Sequence, residues 1–299
     1  MEKRKSQGTL CVQAGWTPKK GEPRVLPIYQ STTFKYDNSE QMARLFDLKD
    51  TGYFYTRLQN PTNDAVASKI AQLEGGVAAM LTSSGQAASF YAVFNLCETG
   101  DHFIASSTIY GGTYNLFGVT MKKMGIECTF VDPDSSDEEI QQLFRPNTKC
   151  VFGETISNPG GNVFDIERFA RLAHRNGVPL IVDNTFMSPY FQNPLDLGAD
   201  VVIHSGTKYL SGHNDTLAGF IVTNREDIQE KLRFLIKTTG AGLAPFDCWL
   251  VLRGMKTLGI RMERSQENAK QIAAWLQQQK AVTRAVSYTH LTLPTKLEV

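Results

Sequence analysis

The sequence predicts an α/β fold built on a mostly parallel sheet. Three observations carry this expectation. Short apolar runs alternate with segments of helical periodicity over residues 77–223, the pattern of successive β-α units. Two of these runs, in the stretch 179–213, stop at polar residues. Leu180-Ile181-Val182 meets Asp183-Asn184-Thr185, and Asp200-Val201-Val202-Ile203 meets His204-Ser205-Gly206-Thr207-Lys208. Apolar runs this short, bounded by turn residues, fit buried parallel strands. Finally, 299 residues with 41% hydrophobic and 20% charged content suit a soluble globular chain of one large domain or two smaller ones.

Taken in order, residues 1–60 read as an extended arm. Pro18, Pro23 and Pro27 punctuate it and no helical period is clear. Asn60 and Pro61 then supply an N-cap and a first-turn proline. Val66, Ile70 and Leu73 recur at helical spacing until Gly75-Gly76. Strands are predicted at 77–82, 103–105, 128–131, 150–152, 180–182, 200–203 and 218–223. Helices are predicted at 87–96, from 112 through Lys123, at 137–144 and at 165–175. Beyond Arg225 the chain reads as mostly helical, with a long helix over 246–279 broken near Gly254 or Gly259. Residues 286–299 lack helical period and read either as a foreign tail or as an irregular terminus.

The bulk numbers exclude several function classes. A net charge of +1 gives no electrostatic footing for nucleic acid or an anionic membrane. No apolar run approaches the roughly 18 residues of a membrane span. Five scattered cysteines without a C-x-x-C pair suit a reducing cytoplasm. The charged start MEKRKSQGTL has no apolar core of a secretory leader. No G-x-G-x-x-G follows a strand, and the His204/His213 spacing matches no metal motif, so no metal is expected.

The chemistry lies at the strand ends. In open α/β sheets ligands bind outside the carboxyl ends of the strands. Asp183 and Lys208 at two such ends could face one ligand. A lysine that forms a Schiff base and an aspartate that pairs with a pyridinium nitrogen are what pyridoxal 5'-phosphate (PLP) requires. Either residue alone is more often ordinary surface. Ser205 and Thr207 flank the lysine with hydroxyls suited to phosphate, and the Ser84-Gly85-Gln86 turn between a strand and a helix would place backbone amides at the helix N-terminus, which suit it too. Tyr110 could stack on a ring, Asn158 could donate to a ring oxygen, and Tyr55 and Arg57 could bind phosphate.

The motifs YFYTRLQNPT, LEGG, SSGQAA, YGGTYNLF, ETISNP, VDNTF and GADVVIHSGTKYLSGH make the chain resemble the trans-sulfuration (Cys/Met metabolism) PLP enzymes over residues 8–285. The resemblance implies a type I PLP-transferase fold. Residues 1–60 would be an arm, 61–245 the PLP-binding large domain, and 246–285 a connecting helix and the start of a truncated C-terminal domain. Catalysis would fall to Lys208 and Tyr110. Asp183 would meet the ring nitrogen and Asn158 the ring hydroxyl, with the phosphate on Gly85, Gln86, Ser205 and Thr207. Tyr55 and Arg57 would serve a neighbouring subunit, implying a homodimer at least and a tetramer as the usual assembly.

The implied reaction is γ-replacement on O-acetylhomoserine by sulfide or a thiol. Cystathionine γ-synthase, cystathionine γ-lyase and methionine γ-lyase chemistry, or an inactive PLP-binding fragment, stand as alternatives. Residues 8–185 look most like O-acetylhomoserine sulfhydrylases, and 186–280 more like cystathionine γ-synthase and γ-lyase, with VDNT common to both. A hybrid chain and a divergent natural member both fit this split. Family members continue for roughly another hundred residues, a small domain's length, which carries the arginine for the substrate α-carboxylate.

Overall fold

The computed structural model describes residues 5–285, apart from residue 48, together with residue 287. The expected tail at 286–299 therefore lies outside the described residues, save Ser287.

The arm is less extended than its prolines predict. It holds α1 (Gln7–Gln13) and α2 (Ser39–Phe46), whose N-caps Ser6 and Asn38 accept from Thr9 N and Gln41 N. Helix α1 forms because Leu10 and Cys11 are buried against the body of the protein, a tertiary gain that a seven-residue period does not advertise. In α3 (Pro61–Glu74), Asn60 caps the start and Gly75, at φ 77°, ends it, as the sequence predicts. The buried Lys69 of α3 donates to the Cys11 carbonyl at 2.6 Å and ties the arm down.

The strands and helices then alternate. They run β1 (Ala78–Thr82), α4 (Gly85–Phe94), β2 (His102–Ser106), α5 (Gly111–Asn115), β3 (Glu127–Val131), α6 (Asp137–Gln141), β4 (Thr148–Glu154), α7 (Ile166–Arg175), β5 (Leu180–Asp183), α8 (Ser188–Phe191), β6 (Val201–Ser205) and β7 (Gly219–Thr223). Three helices follow: α9 (Glu226–Thr239), α10 (Pro245–Met255) and α11 (Leu258–Gln277). The helix expected through Lys123 is not one α-helix. After α5 the backbone widens into a π-turn at Leu116–Thr120 and tightens into a 3-10 turn at Met121–Met124. This irregular path buries Phe117 and Met121 completely. Helix α6 keeps its acidic first turn and a Ser136/Glu139 capping box but stops at Gln141, short of the expected Phe144.

The sheet order is β1-β7-β6-β5-β4-β2-β3. The five strands from β3 to β6 are parallel, as expected. Strand β7 runs antiparallel to both β6 and β1. No crossover helix separates β6 from β7, so the chain returns beside β6 in the opposite sense.

Both faces of the sheet are apolar. Val182, Val202 and Val222 pack with α3, α7 and α10, while Ile181, Ile203 and Ile221 pack with α4 and the Phe103, Phe117 and Phe152 rings. The expected break near Gly254 falls between α10 and α11. A Cβ on Gly254 would stand 2.1 Å from the Ser211 carbonyl oxygen, so α10 presses directly on the turn that follows Lys208. No helix among the described residues is long and apolar enough to cross a membrane.

Candidate active site

Strands β4, β5 and β6 end side by side at Glu154, Asp183 and Ser205. Above these ends lies a cavity of about 1090 Å³. Gly85, Gln86, Tyr110, Asn158, Asp183, Ser205, Thr207 and Lys208 all line it. The structure therefore brings together most of the residues the sequence singles out. Parallel strands with a common C-terminal edge are the cause.

The N-terminus of α4 opens onto this cavity. Ser84 caps it by accepting from Ala87 N at 3.1 Å. Gly85 is required here: an added Cβ would stand 2.6 Å from Ser205 Cβ and 2.9 Å from Ser205 Cα. The helix end and the end of β6 thus approach closely enough to present amides and hydroxyls to one anion. Gln86 Nε2 donates to Thr113 Oγ1 at 3.1 Å, and Thr207 Oγ1 accepts from Ala218 N at 3.1 Å.

The cavity floor is acidic. Asp183 Oδ1 accepts from Thr185 N at 3.0 Å and from Thr185 Oγ1 at 2.6 Å. The same hydroxyl accepts from Ser205 N at 2.7 Å, linking β5 to β6. Burial raises the Asp183 carboxyl above its ordinary range, against the pull of the Thr185 donors and of His204. Glu154 stands opposite Asp183 in the β4–β5 register. Burial, and then the Asp183 charge, push it up to about 8, opposed by the Tyr110 amide. Behind the sheet, His204 Nε2 meets Glu74 Oε1 at 2.6 Å, both side chains fully buried. Asn184 and Asn193 also donate to the Glu74 carboxylate, at 3.1 and 3.2 Å.

Tyr55 and Arg57 do not reach this cavity. They line a separate one of about 860 Å³ with Gln59 and Arg233. The Arg57 guanidinium lies 5.2 Å from the Tyr55 ring centroid and donates to the Lys237 carbonyl.

Several participants lie outside the residues the sequence singles out. Glu154 carries the same local signal as Asp183, a carboxylate closing a short apolar run. Thr185, two residues beyond Asp183, fits the local pattern of an Asx-type turn. Arg261 has no local signal. Its Nη1 donates to the Tyr209 carbonyl at 2.5 Å and its Nη2 to the Gly254 carbonyl at 2.9 Å, so it clamps the residue after Lys208 to the end of α10. Only the packing of α11 puts it there.

An amine, a carboxylate and a helix N-terminus facing one cavity can hold a phosphorylated, cationic aromatic ligand and react with its carbonyl. Comparison with known proteins agrees. Residues 8–299 match the family model described as Cys/Met metabolism PLP-dependent enzyme. The chain is 44% identical over 280 residues to an L-methionine gamma-lyase of Fusobacterium nucleatum subsp. polymorphum, covering 93% of this chain and 70% of that one. It is 40% identical over 302 residues to the homocysteine/cysteine synthase of Saccharomyces cerevisiae, covering 90% and 68%. Among solved structures, a Campylobacter jejuni protein described as an O-acetylhomoserine (thiol)-lyase, carrying N'-pyridoxyl-lysine-5'-monophosphate, superposes with a TM-score of 0.87 at 32% identity, over 92% of this chain and 76% of that chain. The match extends over almost all of this chain and combines sequence with fold. The chain therefore belongs to the Cys/Met-metabolism family of PLP-dependent enzymes.

Proposed function

We propose that this chain binds PLP in the cavity above β4–β6 and serves γ-replacement on O-acetylhomoserine by sulfide or a thiol. One observation carries the cofactor site: Lys208, Asp183 and the α4 N-terminus face a single cavity. The residues fit the group. The close approach of Gly85 to Ser205 forms a cradle that a Cβ would fill, and amides with the Ser205 and Thr207 hydroxyls suit a phosphate. Asp183, held by Thr185, suits a ring-nitrogen cation. When bound, PLP supplies an electron sink for negative charge developing at the substrate Cα.

The chain's own residues do the rest. Lys208 would hold the cofactor and move the proton at Cα. Tyr110 would stack on the ring and assist proton transfer, and Asn158 would bond the ring hydroxyl. Tyr55 and Arg57, which line a cavity separate from that of Lys208, serve the phosphate site of a second copy. The working assembly is then a homodimer at least, or a tetramer of two such dimers. The proposed setting is the cytoplasm.

The motifs over residues 8–185 support the replacement reaction. The methionine and cystathionine γ-lyases among the relatives, at 44% identity, support a second reading, γ-elimination from methionine or cystathionine. A product-resolved panel separates them: O-acetylhomoserine with sulfide, O-acetylhomoserine with cysteine, cystathionine alone and methionine alone. Homocysteine formed from the first mixture is the expected result. Product only from methionine or cystathionine overturns the first reading in favour of the second. A cofactor absorbance band that forms in the wild type, is lost in Lys208→Ala, and never responds to any amino acid leaves a PLP-binding chain without turnover.

A further inference from the structure

Glu154 has no role in the reading above. It closes β4 directly opposite Asp183 at the close of β5. Residues in register on adjacent parallel strands point to one face at about 4.8 Å strand spacing. Both side chains line the cavity. Glu154 Oε2 accepts from the Tyr110 backbone N–H at 2.6 Å. The Tyr110 ring lies over Gly112, where a Cβ would stand 2.6 Å from Tyr110 Cε1. One carboxyl group is therefore joined to the ring-bearing residue on one side and neighbours Asp183 on the other.

Two carboxylates side by side away from water do not both stay ionised. The donors decide which one yields. Asp183 has two hydrogen bonds from Thr185 and the influence of His204 behind the sheet. Glu154 has the Tyr110 amide. The remaining titratable and charged groups lining the cavity are the Tyr110 and Tyr209 phenols, Lys208 after β6, and Arg261 and Arg264 of α11 at the rim. Arg261 is engaged by the Tyr209 and Gly254 carbonyls, and Arg264 pairs with Glu267 at 3.3 Å. Beyond the sheet, Glu74 is occupied with His204. Burial raises both carboxyls, so the donors decide: the bonding favours the anion on Asp183 and the proton on Glu154.

We propose that Glu154 is a positioning residue acting as a neutral carboxylic acid, which anchors the Tyr110 amide and leaves Asp183 as the single carboxylate of the cavity floor. The proposal rests on Asp183 being the partner of the cofactor's ring nitrogen. A neutral Glu154 holds the Tyr110 backbone in place without adding a second negative charge beside Asp183.

Carboxyl-carbon NMR of the cofactor-free chain, with ¹³C-labelled Glu and Asp, tests the protonation directly. A Glu resonance absent from Glu154→Gln should titrate near its raised value of about 8. In Asp183→Asn that midpoint should fall. A Glu154 resonance titrating with ordinary carboxyls, near 4.3, overturns the proposal whether or not PLP binds. PLP titration followed by visible circular dichroism then tests the positioning role. Glu154→Gln, which keeps the acceptor and stays neutral, should bind within about threefold of wild type, while Glu154→Ala should bind about tenfold more weakly, as for one lost buried hydrogen bond, with a reduced dichroic band. Equal weakening in both variants overturns the neutral-acid role. A wild-type chain that binds no PLP overturns the cofactor reading instead, and leaves the NMR result standing.

Discussion

Thr185 grips Asp183 twice, donating to the same Oδ1 from its backbone N–H at 3.0 Å and from its hydroxyl at 2.6 Å. Because that hydroxyl also accepts from Ser205 N at 2.7 Å, it relays the end of β6 to the end of β5. Thr185→Val keeps the shape but removes the relay, leaving a strand-end amide unpaired. Hydrogen bonds to charged groups contribute about 1.5–3 kcal/mol, so PLP affinity should fall by tenfold or more. Thr185→Ser should restore most of it. Fluorescence titration with PLP makes the comparison, and an unchanged affinity in the valine variant would show that the relay is idle.

Gly85→Ala should disturb the phosphate cradle without disturbing the sheet. The new methyl group collides with Ser205 backbone and side chain, neither of which can retreat from β6. Overpacking of this kind costs about 1–3 kcal/mol, and here it pushes the α4 N-terminus away from the ligand. Gly111→Ala serves as control, since nothing lies within 4 Å of its added Cβ. The expected outcome is weaker PLP binding in the first variant and wild-type binding in the second.

Glu74 and His204 form a fully buried pair 130 residues apart in sequence. Removing one partner strands a polar or charged group, at a cost of about 3–5 kcal/mol, whereas replacing both with apolar residues can be nearly neutral. Urea unfolding should therefore find Glu74→Leu and His204→Phe each more destabilised than the double variant. Simple additivity would refute the coupling.

His102 gives a pH signature. Its ring nitrogens meet the Thr148 and Thr129 hydroxyls at 2.8 Å each. Burial, reinforced by the nearby Arg145 charge, lowers it to about 4. In the unfolded chain an ordinary histidine titrates near 6.5, so between these values the unfolded state binds the extra proton. The contribution is complete above about 6.5 and is lost as pH falls toward 4. Thermal unfolding from pH 7 to pH 4 should show a shallower acid decline in His102→Asn than in the wild type. Equal slopes would count against the shift.

Much of the site was legible because β-α units announce themselves locally. A short apolar run followed by a polar residue marks both a strand and its functional end, and Asp183 and Lys208 each follow such a run. Glu154 ends its strand in the same way, but a carboxylate without an obvious ligand partner has the same local signature as any capping residue. Arg261 was out of reach. It lies on an ordinary helix, and its importance comes from the carbonyls of Tyr209 and Gly254, which belong to other elements.

The amino-acid sequence by itself determined the α/β class, the positions of the strands, the cap and stop of α3, and a lysine, a carboxylate and a glycine-led helix at strand ends. Those features follow from periodicity, turn chemistry and residue type, all short-range properties. Only the tertiary structure decided that β7 runs antiparallel, that Glu154 stands beside Asp183, that Glu74 meets His204, and that Tyr55 and Arg57 stand apart from the cavity. These depend on which strands become neighbours and which helices cover them. Burial of two apolar sheet faces settles that choice over the whole chain, with no local mark in the residues concerned.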